Sequence, residues 1–258
     1  MQADTLLPAV VTIEAAERIA AELYGISACA TALPGEYDNN FWLKTNDGPG
    51  FVLKIMHPSR ESALIDLQAR ALQHLAARAP GLSLQRVKPA RNGKPISVIE
   101  IKPGVAQAVW AVGFLNGRPL AESQPKTAQL LEELGAFVGE MTAALADFDH
   151  PAAVRELKWD LTRCAWINEH LQKIADPGRR QLIARCMENF SADVLPVLPT
   201  LRHSILHGDA NDYNVLTDAA RSELPRIVGV IDFGDMHRGP TVAELAITIA
   251  YADRKSVV

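Results

Sequence analysis

The sequence has few cysteines, no excess of positive charge and no long apolar run, and each absence excludes a class of protein. Its 258 residues contain three widely spaced cysteines, Cys29, Cys164 and Cys186, with no Cys-x-x-Cys pair. This argues against a structural zinc site or a disulfide framework. The formal net charge is −4, so no basic field favours nucleic acid or an anionic membrane. We therefore expect no nucleic-acid partner.

Membrane and export signals are also missing. No stretch approaches the roughly 18 uninterrupted apolar residues of a membrane span, and the N-terminus lacks a basic region followed by an apolar run. We expect no membrane partner and a cytoplasmic protein. Hydrophobic residues make up 48% of the chain and charged residues 22%, an ordinary globular balance that can fill a sizeable core. The sequence carries no signal for an oligomeric state.

The order of predicted elements changes near residue 116. Before it, short apolar runs separated by turn residues, such as the Asp-Gly pair at 47–48, predict antiparallel strands, including one near 82–89. One long amphipathic helix interrupts them at Arg60–Ala79. Helices dominate after it, at about Thr127–Ala146, Asp160–Ile174, Arg179–Val194 and Thr241–Tyr251. The pattern predicts an α+β fold with two lobes, an N-terminal lobe at 1–115 and a C-terminal lobe at 116–258.

The strongest chemical signal is HGDANDYN at residues 207–214, followed by IDFGD at 231–235. Apolar runs between them predict a hairpin in which Asn214 begins one arm and Asp232 ends the other. An amide oxygen and a carboxylate brought together in this way are hard ligands of the kind that Mg²⁺ prefers. Asp209 lies on a glycine-containing loop, where a carboxylate can accept or orient the proton of an attacking hydroxyl. The spacing reproduces the His-x-Asp-x-x-x-x-Asn and Asp-Phe-Gly motifs of kinases.

Other interpretations of these residues are open at this point. Asp and Asn are strong turn formers, so the polar residues of 207–214 could serve the loop alone, although the Asp-Phe-Gly after a strand favours chemistry. His207 is better explained as a histidine that braces the loop than as a proton shuttle. Asp235 could be a second metal ligand, a base for the loop or a cap.

Together, His207-Gly-Asp-x-x-x-x-Asn214 and Ile231-Asp-Phe-Gly-Asp235 resemble the aminoglycoside phosphotransferase and choline kinase superfamily, since protein kinases place arginine after the histidine. The stretch 33–41 and the Trp-Asp-Leu at 159–161 make the chain most similar to the hydroxylysine kinase branch. The resemblance implies a protein-kinase-like two-lobed fold, Asp209 as catalytic base, and Asn214 and Asp232 as Mg²⁺ ligands.

The resemblance also implies the reaction. It predicts a phosphotransferase that moves the γ-phosphate of ATP or GTP to the hydroxyl of a small amino alcohol. A hydroxylysine-like acceptor is expected, with an aminoglycoside, choline, ethanolamine or homoserine as alternatives. Acidic residues near the predicted site, including Asp212, Asp235 and Glu244, favour an acceptor that carries a cationic amine.

A nucleotide site in the first lobe is implied as well. Lys54, on the alternating strand FVLKI, is expected to contact the α- and β-phosphates. Gln68 aligns where relatives have a glutamate that orients this lysine, with Asp66 and Glu61 nearby in sequence, and a neutral partner holds a lysine less firmly than an ion pair. The other expected nucleotide contacts come from the loop over the phosphates and the connection between lobes, and they are Tyr37, Asn39, Asn40, Val112 and Leu115.

Relatives of this branch usually continue for several more helices, which form one wall of the acceptor pocket. We therefore expect a fragment, a kinase with an open acceptor site, or the kinase-like part of a kinase–aminotransferase fusion. Together with Gln68, this makes a non-catalytic nucleotide-binding module the main alternative. A metal-dependent phosphohydrolase is a third interpretation, but such enzymes usually recruit more His and Asp ligands.

Overall fold

The computed structural model describes residues 11–35, 37–218 and 224–252. Its first part combines helices and strands, which are α1 (Ile13–Tyr24), β1 (Cys29–Leu33), β2 (Asn39–Lys44), β3 (Phe51–Ile55), α2 (Ser62–Arg78), β4 (Val87–Lys88), β5 (Ile96–Lys102) and β6 (Val105–Gly113). The strands form one antiparallel sheet in the order β1-β2-β3-β6-β4, and β5 also pairs with β6.

The second part is mainly helical. Its elements are β7 (Arg118–Pro119), α3 (Ala128–Ala144), α4 (Pro177–Asn189), β8 (His203–Leu206), β9 (Val215–Thr217), β10 (Ile227–Val230), β11 (His237–Pro240) and α5 (Val242–Ala252). The strands form two small sheets, β10-β9-β7 and β11-β8. A separate antiparallel sheet followed by helices confirms the predicted α+β fold, while the division into domains at 115 and 116 stays a prediction.

Local sequence explains the hairpin that carries the predicted lysine. Asp47 and Gly48 lie in the turn between β2 and β3, and Gly48 adopts a φ of 84°, which glycine reaches without steric cost. Gly50 also has a φ of 84°, and a Cβ there would lie 2.1 Å from the backbone oxygen of Leu43. The Asp-Gly signal therefore gave the correct turn, and the close approach of the strands requires a second glycine.

Two groups of buried side chains hold the sheet in place. One lies between α1 and the sheet and includes Leu43 and Leu53. The other joins α2 to the sheet and to the helical part, with Leu75, Trp110 and Phe233 fully or almost fully buried. Truncating such a side chain to alanine typically costs about 2–5 kcal/mol. This second group joins α2 to Phe233, which directly follows the predicted metal ligand Asp232.

Three predicted elements differ from the structure. The strand expected near 82–89 is only β4, with a single bridge from Leu84 to Val230. The helix expected at Asp160–Ile174 is a 3₁₀ segment, Leu161–Lys173, which contains no buried residue, so no apolar face is packed to sustain a longer α-helix. The helix expected to run to Val194 does so, but its last turn, Phe190–Val194, is π-helical and not α-helical.

Within the residues described here, every helix is too short or too polar to cross a bilayer.

Candidate active site

The hairpin of β9 and β10 brings the two predicted metal ligands to the same end. Val215 pairs with Val230, and the Ile231 amide donates to the Asn214 carbonyl oxygen at 2.9 Å. Asn214 immediately precedes β9, and Asp232 comes two residues after β10. The predicted hairpin is therefore confirmed.

Asp209 is tied to this hairpin by hydrogen bonds. The Asn211 side chain donates to Asp209 Oδ1 at 2.8 Å, and Asn214 Nδ2 donates to Asp209 Oδ2 at 2.9 Å. Asn214 Nδ2 also contacts the Asp209 backbone oxygen at 2.9 Å. Because both of these hydrogen bonds are donated by the side-chain nitrogen of Asn214, its side-chain oxygen is left available as an acceptor.

The loop before Asp209 depends on a glycine and on a carboxylate beneath it. Gly208 has a φ of 79°, and a Cβ there would lie 2.6 Å from the Asp235 backbone oxygen. Glu244, on α5, accepts from the amides of His207 at 2.6 Å and Gly208 at 3.3 Å. It is 1% exposed, and burial raises its pKa to about 7. Glu244 therefore holds the backbone that presents Asp209.

His207 braces the loop, as its sequence context predicted. Its Nδ1 accepts from the Asp209 amide at 3.2 Å, so its Nε2 carries the proton that is donated to the Ile231 oxygen at 3.0 Å. The ring packs edge-on against Phe233 with 4.6 Å between centroids. Complete burial lowers its pKa to about 4. The imidazole is neutral and both of its nitrogens are hydrogen-bonded. It therefore positions the chain and has no free nitrogen for proton transfer.

Asp232 occupies a left-handed backbone conformation, with φ 63° and ψ 79°. Its carboxylate accepts from the Gly234 amide at 3.2 Å, and the side chain reaches solvent. A residue other than glycine in this region costs of order 1–3 kcal/mol, and such residues cluster at functional sites. The turn therefore aims the Asp232 carboxylate outward at an energetic cost.

The acidic groups around this turn repel one another. Burial raises the pKa of Asp209, and the neighbouring Asp235 and Asp232 raise it further, against hydrogen bonds from two asparagines that lower it. Burial also raises the pKa of Asp235, as does Asp232, while Arg155 opposes the shift. A cation placed among these carboxylates would be stabilised.

Two cavities meet at the end of the hairpin. A polar cavity of about 340 Å³ is lined by Asp209, Asp235 and the start of α2. An apolar cavity of about 570 Å³ is lined by Val52, Phe114 and Leu216. Their common lining residues are Pro34, Asn40, Lys54 and Asp232. Of the three predicted catalytic and metal-binding residues, Asp209 lines the polar cavity, Asn214 lines the apolar cavity and Asp232 lines both.

Lys54 enters the junction from the sheet without an acidic partner. It pairs across strands with Asn40 and Trp110, and its ammonium lies 5.5 Å from the Trp110 ring centroid. No carboxylate forms an ion pair with it within the described ranges. Gln68 lines the same polar cavity and donates to its own helix at the Leu64 oxygen, 3.2 Å away. The sheet determines where Lys54 lies, but among the described residues no acidic side chain fixes its ammonium group.

The two acidic residues near Gln68 in sequence do not replace it. Asp66 is bonded to Arg70 at 2.7 Å and to His150 at 3.1 Å. Glu61 precedes the first turn of α2 and is exposed. Neither lines the polar cavity.

The other predicted nucleotide contacts divide between the cavities and the core. Tyr37 lines the polar cavity, Leu115 lines the apolar one and Asn40 lines both. Asn39 points to the other side of its strand, where it accepts from the Val11 amide at 3.4 Å. Val112 is 1% exposed within the core. Glu36, which precedes Tyr37 in the loop predicted to lie over the phosphates, is outside the described residues.

Sequence reasoning missed several residues that line the cavities. Arg60 and Arg155 contribute to the polar cavity, and Gln85 contributes to the apolar one. Arg155 contacts the site by donating to the Gly234 oxygen at 3.0 Å. This contact spans 79 positions, and no periodic pattern or motif marks either arginine. Trp159 was noted only as a family feature, and it also lines the polar cavity.

The donor set at the junction fits Mg²⁺ bound together with a nucleotide. Asp232 supplies a carboxylate and Asn214 an amide oxygen, both hard donors. Mg²⁺ keeps waters and phosphate oxygens in its shell and uses one or two protein carboxylates, so two protein ligands are sufficient.

Comparison with known proteins identifies the family. Residues 30–257 match the phosphotransferase enzyme family. The chain belongs to this family. Its sequence is 31% identical over 239 residues to hydroxylysine kinase from Danio rerio, covering 89% of this chain and 66% of the relative. This confirms the predicted similarity to the hydroxylysine kinase branch. The chain spans a little less than two thirds of that relative's length.

Solved structures confirm the predicted protein-kinase-like, two-lobed fold of the chain. A microcompartment-associated aminopropanol kinase aligns with a TM-score of 0.68 at 16% identity, covering 95% of this chain and 76% of the other. An amicoumacin kinase in complex with AMP-PNP, Ca²⁺ and amicoumacin aligns with a TM-score of 0.65 at 18% identity, covering 93% of this chain and 69% of the other. At these identities the likeness establishes the fold.

Proposed function

We propose that this protein is a Mg²⁺-dependent kinase that transfers the γ-phosphoryl group of ATP or GTP to the hydroxyl of a small, hydroxylysine-like amino alcohol. The supporting observation is the junction of two cavities, one apolar and one polar, at Lys54 and Asp232. A purine fits the apolar cavity, the phosphates fit the junction, and a small acceptor fits the polar cavity beside Asp209. Catalytic and nucleotide-binding roles for these residues are part of the proposal.

In the proposed reaction, Asp209 accepts the proton of the acceptor hydroxyl while the hydroxyl oxygen bonds to the γ-phosphorus. The bond from that phosphorus to the bridging oxygen breaks, and the nucleoside diphosphate leaves. Asn211 and Asn214 fix the orientation of the Asp209 carboxylate through one hydrogen bond to each oxygen. Lys54 binds the α- and β-phosphates. Positioning and charge stabilisation supply most of the rate in such transfers.

Asn214 and Asp232 would hold the metal, which supplies neutralisation of charge on the β- and γ-phosphate oxygens. The purine base of the nucleotide would lie against Val52 and Leu115, and the backbone after β6 would hydrogen-bond to its edge. There, the Gly113 amide donates to the Arg86 oxygen and the Phe114 amide donates to the Gly50 oxygen. No hydrogen bond to the Leu115 amide forms among the described residues, so this amide is the donor that we assign to the base.

Gln68 supports a second candidate, a nucleotide-binding module that does not transfer phosphate. Its neutral side chain lines the polar cavity in the place where a carboxylate would orient Lys54. Both candidates predict binding of the metal–nucleotide complex, and only the first predicts turnover. The cytoplasmic location expected from the sequence stays a prediction in either case.

A donor-and-acceptor screen tests the proposal. Purified protein is incubated with Mg²⁺, with ATP or GTP, and with 5-hydroxylysine, choline, ethanolamine, homoserine or an aminoglycoside, and the phosphate ester is detected by ³¹P NMR. We expect an ester with an amino-bearing hydroxyl compound, and its loss in Asp209→Asn. Binding of nucleotide without any ester would favour the module. Release of inorganic phosphate as the sole product would favour a phosphohydrolase.

A further inference from the structure

The proposed function leaves two charged groups of the polar cavity without a role. Among the described residues, seven charged side chains line it, and they are Asp38, Lys54, Arg60, Arg155, Asp209, Asp232 and Asp235. Asp38 and Arg60 form an ion pair at 3.2 Å. Lys54, Asp209 and Asp232 serve the nucleotide, the proton and the metal. Arg155 and Asp235 remain.

Arg155 is anchored but mostly unsatisfied. Its Nη1 donates to the Gly234 oxygen at 3.0 Å, which fixes the guanidinium beside the Asp-Phe-Gly turn. Within the described residues it has no other hydrogen bond and no ion pair. A guanidinium has five N–H donors in a planar fork, so enough of them remain to bind a carboxylate through two parallel bonds. The side chain is half-buried at the cavity wall.

Asp235 offers the opposite charge on the same wall. It is half-buried, and its carboxylate receives no hydrogen bond from the described part of the chain. Arg155 is near enough to stabilise the Asp235 charge, yet the two side chains do not form an ion pair. An ammonium group placed against Asp235 would offset both its burial and its repulsion by Asp232. The cavity wall therefore holds a cation and an anion that do not form an ion pair with each other.

We propose that Arg155 and Asp235 form a subsite for the zwitterionic end of a free hydroxy amino acid, in which Arg155 binds the α-carboxylate and Asp235 binds the α-ammonium group. This deepens the proposed function and rests on it, since it names the acceptor class. Choline, ethanolamine and aminoglycosides carry no carboxylate and leave Arg155 unused. The volume of about 340 Å³ lies at the small end of ligand pockets, which run from roughly 300 to 1,000 Å³, and suits an acceptor of amino-acid size.

Removing the carboxylate from the acceptor and the guanidinium from the protein tests the pairing. The acceptors are 5-hydroxylysine and its decarboxylated counterpart, 1,5-diaminopentan-2-ol, and kcat/KM is measured for both. We expect wild type to prefer hydroxylysine by about tenfold to a hundredfold, because one charge-assisted pair is lost with the carboxylate. In Arg155→Gln, which keeps a donor for the Gly234 oxygen, the ratio should fall to within about threefold of unity. Turnover of the decarboxylated acceptor should change little.

Arg163→Gln is the matched control. Arg163 lies in the neighbouring segment, donates to Glu156 at 2.6 Å and does not line the cavity, so this variant should keep the wild-type ratio. If Arg155→Gln fails to fold, Arg155→Lys retains the positive charge without the planar set of guanidinium donors. Its ratio of kcat/KM for hydroxylysine to kcat/KM for the decarboxylated acceptor should lie between the wild-type ratio and one. An equal loss on both acceptors would assign Arg155 to the Gly234 turn or the phosphates and overturn the subsite.

Asp235→Asn tests the other half. It should lower kcat/KM for hydroxylysine by about tenfold more than for 6-amino-5-hydroxyhexanoate, which lacks the α-ammonium group. Equal losses would overturn the role of Asp235. A wild type that uses hydroxylysine and its decarboxylated counterpart equally well overturns the subsite but leaves the kinase proposal intact. A wild type that phosphorylates no acceptor overturns both.

Discussion

Asp209 and Lys54 lie on opposite sides of the same cleft and are held in different ways. Asp209 belongs to the floor, defined as residues 207–214 and 231–235, where it receives hydrogen bonds from two asparagine side chains. Lys54 belongs to the roof, defined as Asn40, Lys54 and Gln68. There, its ammonium group lies 5.5 Å from the centroid of the Trp110 ring, a cation–π distance. The floor is held by hydrogen bonds within the protein, whereas in the proposed kinase the nucleotide would have to orient Lys54.

This contrast suggests that the floor determines the rate of transfer and the roof determines the affinity for nucleotide. A rigid, desolvated carboxylate is suited to receiving a proton in the transition state. A lysine without an ion-pair partner gives up little when it turns to bind phosphate, but it is also less firmly oriented. The following changes test this division of roles, in order of expected effect.

Asp209→Asn should have the largest effect, because it removes the proposed proton acceptor and preserves the shape of the side chain. We expect kcat to fall by about 10²–10⁴, while the Kd of the metal–nucleotide complex changes by less than about threefold. Steady-state kinetics and calorimetric titration with AMP-PNP measure the two quantities. A kcat close to that of wild type would remove Asp209 from the chemistry.

Titration of the protein without metal or nucleotide provides a second test of Asp209. Because burial raises its pKa, the Asp209 carboxyl should titrate above the ordinary aspartate range, as followed by ¹³C NMR with Asp209→Asn to assign the signal. An unshifted titration would contradict the buried position of this carboxylate.

Lys54→Met should act on binding. Loss of a charge-assisted contact with phosphate is expected to weaken Kd for the metal–nucleotide complex by about tenfold to a hundredfold. Lys88→Met is the control, because Lys88 lies on the same sheet and lines neither cavity. Equal binding by the Lys54 and Lys88 variants would mean that the roof does not contact phosphate.

Glu244→Gln tests the support beneath the floor through the pH dependence of stability. The pKa of Glu244 is about 7 in the folded protein and 4.5 as its ordinary value. Its contribution is therefore most favourable below pH 4.5 and is lost as pH rises through 7. Between pH 5 and pH 7.5, the free energy of unfolding of wild type should fall relative to the variant by roughly 2 kcal/mol. Urea denaturation at both values measures this difference, and a constant difference would rule out a buried, titrating carboxylate.

Gln68→Glu should give the smallest effect and sharpens the contrast most. The new carboxylate would face the polar cavity that Lys54 also lines, and a partial ion pair is expected to improve the nucleotide KM by about twofold to threefold. Glu61→Gln, at an exposed position, serves as the control and should leave KM unchanged. A lower affinity in Gln68→Glu would indicate that repulsion of phosphate outweighs orientation of the lysine.

Local chemistry made much of this site predictable. The Asp-Gly pair gave the hairpin that carries Lys54, and the spacing from His207 to Asp232 placed the floor, because both are determined by residues close in sequence. The 3₁₀ segment at Leu161–Lys173 was not predictable from its apolar periodicity, since periodicity does not reveal whether a partner covers the apolar face. Arg155 was invisible because its contact with Gly234 joins residues 79 positions apart.

The most direct test of the convergence of Asp209, Asn214 and Asp232 is the thermal stabilisation given by Mg²⁺ with AMP-PNP. We predict that wild type and Asp209→Asn are stabilised to a similar degree, and that Asp232→Asn and Asn214→Leu lose most of the Mg²⁺-dependent part. Stabilisation of all four proteins to the same extent, or none in wild type, would contradict the proposal that these side chains surround a metal-bound triphosphate.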